Sequence, residues 1–243
     1  MKRTETIAEG ITLYLGDCRD ILPTLNDIDV VISDPPYGIN INTKNASRNR
    51  GFRPYDKKAS ALDFDAVAGD AIKFDPTPLL TFPAAILWGA NNYADALAVS
   101  HCWLSWDKKC GKAADSDIGD CELAWTRGLP FKTVRAFRHM WAGFQRDSEA
   151  GEKHQHPTQK PVALMRWCID FFPEATTILD PFMGSGTTGV ASVNLGKKFV
   201  GIELEQKYFD VACRRVSAAT KQTDLFIEKP KPIEQISLLD TND

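Results

Sequence analysis

Short, uninterrupted apolar runs are the feature that most narrows the folds open to this chain. Asp29-Val30-Val31-Ile32-Ser33, Ala84-Ala85-Ile86-Leu87-Trp88, Thr177-Ile178-Leu179 and Lys198-Phe199-Val200-Gly201-Ile202 are too short for ordinary helices, and they do not alternate apolar with polar residues. A strand that is apolar on both faces is covered on both faces, which is the habit of a parallel sheet between helical layers. Ile11–Leu15 reads as a further strand running into Gly16-Asp17. Cys102–Trp106 and Glu122–Trp125 read the same way, and Phe131 to Phe137 alternates weakly. Asp20 to Leu25 is a short helical or turn segment. Thr187 to Leu195 is helical, and Tyr208 to Val216 places Tyr208, Val211, Ala212 and Val216 on one helical face. With 243 residues the chain suits one large domain, or one domain with a sizeable insertion.

Composition closes off several classes of function. The 43% hydrophobic and 25% charged content is that of an ordinary globular protein. No apolar run approaches the roughly 20 residues that span a bilayer, and Met1 to Glu5 lacks the apolar stretch of a secretory signal. A cytosolic location is therefore the default expectation. The six cysteines form no Cys-x-x-Cys pair, so neither a zinc ribbon nor a redox motif is indicated. His154 and His156 have no cysteine or carboxylate cluster beside them to complete a metal site. The net charge of −3 hides two basic segments. One holds Lys44, Arg48, Arg50, Arg53, Lys57 and Lys58, and the other Arg127, Lys132, Arg135, Arg138 and Arg146. Basic segments on an acidic chain suggest one positive face, and two solvated loops are the plainer reading.

Two strand ends carry chemistry. Asp180-Pro181-Phe182-Met183-Gly184-Ser185-Gly186-Thr187 lies between a strand and a helix, where glycines let the backbone turn tightly and approach a ligand. Glu203 ends the next strand, 19 residues after Gly184, near the roughly 20 expected for a carboxylate that binds ribose hydroxyls. Phe-x-Gly-x-Gly stands in place of the dinucleotide pattern, which favours an adenosyl ligand over a pyrophosphate. Asp34-Pro35-Pro36-Tyr37 follows a second apolar strand. Its prolines hold an extended shape, so the Asp34 carboxylate and nearby carbonyls form a stiff array of acceptors and Tyr37 offers a flat face. Two acceptors on the two N–H bonds of a base's exocyclic amine bias its nitrogen toward a tetrahedral shape and free its lone pair. A base must leave the duplex to reach such a site, where Tyr37 can stack on it.

With His156-Pro157-Thr158-Gln159-Lys160-Pro161 as a third signature, the sequence resembles the circularly permuted β group of S-adenosylmethionine-dependent DNA amino-methyltransferases, over most of residues 10–217. The resemblance implies an α/β, Rossmann-like methyltransferase fold with a doubly wound, mostly parallel sheet and a small inserted recognition region. It implies a catalytic pocket of Asp34, Pro35, Pro36 and Tyr37. It implies an S-adenosylmethionine site from Asp180, Pro181, Phe182, Gly184, Ser185, Gly186 and Thr187, with Glu203 on the ribose and Asp17 near the adenine. Thr158 and Lys160 would open a helix near the methionine end. The DNA partner would meet Arg48, Arg50 and Arg53 in a long loop at 40–75, and Arg127, Lys132, Arg135 and Arg138 in a short recognition region at about 127–155. Asp at position 34 leans toward N6 of adenine, with N4 of cytosine as the alternative. RNA or protein methylation, or a DNA-binding module without catalysis, are further alternatives.

The catalytic domain is expected over 1–220, and 221–243 as a flexible tail. Gln222-Thr223-Asp224-Leu225-Phe226 resembles the short peptides that dock on bacterial sliding clamps. Apolar cover for the domain by Leu225, Phe226 and Ile227 is the plainer account.

Overall fold

Alternating side chains send each central strand's residues into two cores. In the computed structural model, which describes residues 3–40, 67–111, 119–142, 145–149, 151–152 and 154–226, Val30 and Ile32 enter one apolar cluster and Val31 the other. Ile86 and Trp88 likewise face away from Ala85 and Leu87. This is why these strands read as unbroken apolar runs: both of their faces are covered.

The elements in chain order are β1 (Arg3–Ala8), β2 (Ile11–Leu15), α1 (Cys18–Ile21), β3 (Val30–Ser33), β4 (Ala85–Trp88), β5 (Trp103–Asp107), β6 (Cys121–Arg127), β7 (Arg135–Arg138), β8 (Trp141–Ala142), β9 (Gln145–Arg146), α2 (Val162–Ile169), β10 (Thr177–Asp180), α3 (Thr187–Asn194), β11 (Lys198–Glu203) and α4 (Gln206–Phe226). Among the described residues nine strands form one sheet in the order β1-β2-β11-β10-β3-β4-β6-β5-β7. The run from β2 to β4 is parallel throughout, β6 is antiparallel to both of its neighbours, and β1 is antiparallel to β2. This is the mostly parallel, Rossmann-like methyltransferase sheet expected. Helix α3 packs between α2 and α4, and α4 also touches β1, β2 and β11. The opposite face is covered by α1, the turn at 22–24 and the segment around Leu79.

Three elements differ from expectation. Strand β1 has the polar sequence RTETIA and a largely exposed edge, so it lacks the apolar signature of the central strands. Helix α2 starts at Val162, after an extended Pro161, and not at Thr158. Pro161 enforces this, because the residue before a proline is driven out of helical geometry, which keeps Lys160 in the loop. Helix α4 runs ten residues past Val216 to Phe226, held by buried Ala219, so 221–226 continues the last helix where a flexible tail was expected. The side chains of Thr223, Asp224, Leu225 and Phe226, and all of 227–243, lie outside the described residues, as do Arg48, Arg50 and Arg53 and most of the 40–75 loop. Among the described residues no helix is long and apolar enough to cross a membrane.

Candidate active site

Strands β10 and β3 lie side by side and parallel, pairing Ile178 with Val30 and Leu179 with Val31. From β10 the chain crosses through α3 to β11 on one side, whereas β3 leads to β4 on the other. A crevice opens where connections diverge in this way, at the carboxyl ends of the strands. Here it is a cleft of about 450 Å³, within the size range of small-molecule sites. Asp34, Pro35, Pro36 and Tyr37 line one wall. Pro181, Phe182, Gly184 and Glu203 line another, with Asp17, His156 and Thr158 at its sides.

The loop after β10 divides its residues between the cleft and the scaffold. Asp180 is buried and turned inward. It accepts hydrogen bonds from Ser33 Oγ at 2.6 Å, Thr188 Oγ1 at 2.6 Å and Phe182 N at 3.1 Å, tying the tips of β3 and β10 together. Burial pushes its carboxyl up to about 6. Ser185 and Thr187 face α4, where Arg215 Nη1 donates to Ser185 O at 2.8 Å and Thr187 Oγ1 at 3.1 Å. Gly186 has φ +78°, and a Cβ there would lie 3.0 Å from Ala212 Cβ, so this glycine lets α3 and α4 approach. Asp180, Ser185, Gly186 and Thr187, expected on a cofactor, thus hold the loop in place. Pro181, Phe182 and Gly184 face the cleft.

Glu203 closes the glycine-loop side of the cleft. Its Oε2 accepts from Gly184 N at 3.0 Å and its Oε1 from Glu205 N at 2.8 Å, which leaves each oxygen a second lone pair. Burial raises its carboxyl to about 7 against the pull of those two N–H groups. Asp17 caps α1 through Arg19 N at 2.9 Å and pairs with Arg19. His156 stands edge-on to Tyr208 with ring centroids 4.3 Å apart, and burial pulls it down to about 3, so it is neutral.

Around Asp34 the structure assembles a charge cluster that sequence reasoning missed. Tyr37 Oη donates to Asp34 Oδ1 at 2.5 Å, so the ring turns inward onto the carboxylate. Lys160 Nζ donates to Asp34 Oδ2 at 2.7 Å and reaches Tyr37 Oη at 3.2 Å. The same ammonium lies 3.0 Å from Glu122 Oε2, an oxygen with no aligned hydrogen-bond donor, while Glu122 Oε1 accepts from Lys108 at 2.8 Å. Lys160 is only 7% exposed. It stands behind Asp34 and does not line the cleft. Burial pushes the Asp34 carboxyl up and Lys160 pulls it back. The same burial works against Lys160, but its two carboxylates outweigh it and raise the ammonium. Glu122 is held down to about 2 by Lys160 and Lys108 in spite of its own burial. The one signal in the sequence was a carboxylate heading an otherwise apolar strand, Glu122-Leu123-Ala124-Trp125.

The basic recognition residues do not converge. Arg127 pairs opposite Ala85, at the start of β4, and donates to Leu80 O. Lys132 precedes β7, so both sit toward the end of the sheet away from Asp34. Arg135 stacks on Phe131 at 4.8 Å. Arg138 pairs opposite Asp107, one row beyond Glu122, and brings an 82% exposed guanidinium to the end of the sheet that carries the cleft.

A family model described as a DNA methylase (N6_N4_Mtase) matches residues 90–214, just over half of the chain. The chain belongs to this DNA methylase family. The matched region carries the Gly184 loop, Glu203, Glu122 and the 156–161 segment. Among curated relatives, type II methyltransferase M2.DpnII of Streptococcus pneumoniae is 40% identical over 95 residues, 39% of this chain and 30% of the relative. M2.LlaDCHI of Lactococcus lactis subsp. cremoris matches similarly, so the matched stretches span about a third of these two relatives. M2.MboI of Moraxella bovis is 26% identical across 89% of this chain and 91% of its own. Two solved structures share the methylase fold. M1.HpyAVI in complex with SAM has TM-score 0.51 and 24% identity, covering 84% of this chain and 98% of that one. PvuII DNA methyltransferase, titled cytosine-N4-specific, has TM-score 0.54 and 14% identity, covering 90% and 87%.

Proposed function

We propose that this chain transfers a methyl group from S-adenosylmethionine to the N6 amino group of adenine in DNA, through the permuted arrangement in which the Asp34 segment precedes the glycine loop. The observation that carries the reading is the single cleft that joins Asp34–Tyr37 to Phe182, Gly184 and Glu203. Family membership and the type II methyltransferase relatives support it.

The residues present suit the methyl donor. Glu203 offers free lone pairs at the cleft wall to a ribose-like diol, and Phe182 gives an aromatic surface beside it. S-adenosylmethionine, when bound, supplies an electrophilic methyl group on a sulfonium. The chain's own part is to present the amine. Asp34, with the carbonyl of its extended Pro35 neighbour, accepts the two amino N–H bonds and directs the nitrogen lone pair toward the cofactor side. Tyr37 and Lys160 fix the Asp34 carboxylate, and Lys160 counters the burial that pushes its carboxyl up. Transfer would form the N–C bond as the sulfonium S–C bond breaks, with S-adenosylhomocysteine as the leaving group, and Asp34, which accepts one of the amino N–H bonds, would take the proton that the positively charged nitrogen loses.

Tritiated methyl transfer to DNA, followed by separation of the methylated nucleosides, tests the reading. Label in N6-methyladenine, abolished by Asp34→Ala, is the expected result. Label in N4-methylcytosine would establish the cytosine alternative, and no label would overturn the reading. The clamp-docking motif at 222–226 contributes nothing to this proposal, because its backbone is helical.

A further inference from the structure

Four charges of alternating sign, Lys160 buried and the others partly so, are linked from Asp34 through Lys160 and Glu122 to Lys108. They sum to zero. Glu122 is fixed by the sheet, and Lys108 by backbone hydrogen bonds just beyond the end of β5. Glu122 pairs with Trp106 across β6 and β5, and Lys108, just past β5, has its N–H on Asp120 O and its carbonyl on Trp141 N. A remote ion pair kept only for packing needs no such connection to the reacting carboxylate.

We propose that Glu122, backed by Lys108, is a positioning residue for methyl transfer: it holds Lys160 between two carboxylates, so that Asp34 retains acceptor capacity for the amino N–H bonds. The proposal rests on the reading of Asp34 as the amine-binding carboxylate. An ammonium has three N–H donors, and Lys160 faces three oxygens, on Asp34, Tyr37 and Glu122. In a desolvated site a lone ammonium would concentrate its charge on Asp34 Oδ2 and compete with the incoming amine. Glu122 takes part of that charge, and Lys108 keeps Glu122 ionised.

The other titratable groups facing the cluster are Tyr37, Tyr93, Asp180 and His156. Tyr37 and Tyr93 are held well above their ordinary range by burial, and His156 is neutral, so none of these three changes charge between pH 5 and 9. Asp180, at about 6, does titrate in that window, but it is common to every variant below. The pH response of the cluster is therefore read as a difference between variants.

The test uses the full chain, DNA and tritiated S-adenosylmethionine at saturation, with rates from pH 5 to 9. Glu122→Gln keeps the shape and removes the charge. It is expected to lower kcat about 100-fold, as a misplaced reacting group does, with both KM values within about twofold. The acid limb of kcat should move to lower pH, because the anion that pushes Asp34 up is gone. Glu122→Asp should keep the limb in place and recover part of the rate. Lys108→Met/Glu122→Gln restores neutrality and so should recover the melting temperature, but neither the rate nor the limb. That double variant also carries the test if Glu122→Gln fails to fold. A Glu122→Gln enzyme with wild-type kcat and acid limb overturns the proposal, as does a double variant that regains both. Wild-type chain that transfers no methyl group overturns the underlying reading instead, and the proposal falls with it.

Discussion

Replacing Lys160 with methionine removes the central positive charge of the buried cluster while filling nearly the same volume. Two carboxylates then lose their shared partner. The Asp34 and Glu122 side chains are 15% and 20% exposed, so water replaces little of what is lost. Removing one member of a buried ion pair costs about 3–5 kcal/mol. For a chain of this size each kcal/mol lowers Tm by about 2–4 °C, so Tm should fall by roughly 6–20 °C at pH 8. The loss must depend on pH. In the wild type Lys160 has a raised folded-state pKa, so its contribution is complete throughout the neutral range and is lost only under strongly basic conditions. In the variant the Tyr37 hydrogen bond is left to oppose the burial that already pushes Asp34 up. The folded state then binds a proton that the unfolded chain has released, and stability falls as pH rises through the neutral range. Thermal unfolding of both proteins from pH 5 to 9 checks this. The Tm gap should be widest at pH 8–9 and shrink toward pH 5. A gap that is constant with pH, or smaller than about 2 °C at pH 8, refutes the account of the cluster as a buried, mutually dependent set of charges.

Gly89→Ala should cost activity out of proportion to stability. Its φ of +69° penalises any side chain by about 1–2 kcal/mol, and its Cβ would fall 1.9 Å from Tyr37 Cε1, so Tyr37 must leave Asp34. Methyl transfer should drop at least about tenfold, and a variant that keeps full activity contradicts the inward placement of Tyr37. Glu203, raised to about 7, accepts hydroxyl donors best as the carboxylate, so affinity for S-adenosylhomocysteine should weaken as pH falls from 8 to 6. Calorimetric titration should show proton release on binding at pH 7, and a flat profile for Glu203→Gln; an equally flat wild type argues against the ribose role. Arg138→Ala should reduce the salt slope of DNA binding by about one, whereas Arg127→Ala should leave the slope unchanged because its guanidinium is engaged on Leu80 O. Anisotropy titrations that rank the two the other way would reverse the assignment of the DNA-facing end.

The central strands were legible because burial on both faces writes itself into every position: Val30, Val31 and Ile32 are each fully buried. Strand β1 was not, because an edge strand with one covered side tolerates Thr and Glu. The end of α4 was lost for a related reason. Residues 217–222 are mostly polar and half-exposed, and Ala219 alone anchors that turn in the core. The two motifs meet at one cleft, since Asp34 and Gly184 both follow strands that the sheet brings side by side. They did not say which motif residues face it. Asp180 and Gly184 sit in one loop, yet one bonds to Ser33 and Thr188 inside the scaffold and the other opens onto the cleft.

That division has a physical cause. A loop that must present backbone to a ligand has to be held rigidly from behind, and here four of its residues do the holding: Asp180 bolts β10 to β3, Gly186 admits α4, and Ser185 and Thr187 bind Arg215. The wall that carries Asp34 is built on the same plan. Asp34 faces the cleft, whereas Lys160, Glu122 and Lys108 hold it from behind, and these come from positions 74 to 126 residues away in the chain. No local pattern links them, because what selects them is electrostatic balance in a space that only the folded sheet creates. A charge taken out of water is costly unless it is paired, so the carboxylate of Glu122, largely covered once β6 is in the sheet, requires a cation. Which cation, and that it would be the one touching Asp34, depended on β6 packing beside β4 and on Pro161 keeping Lys160 out of α2.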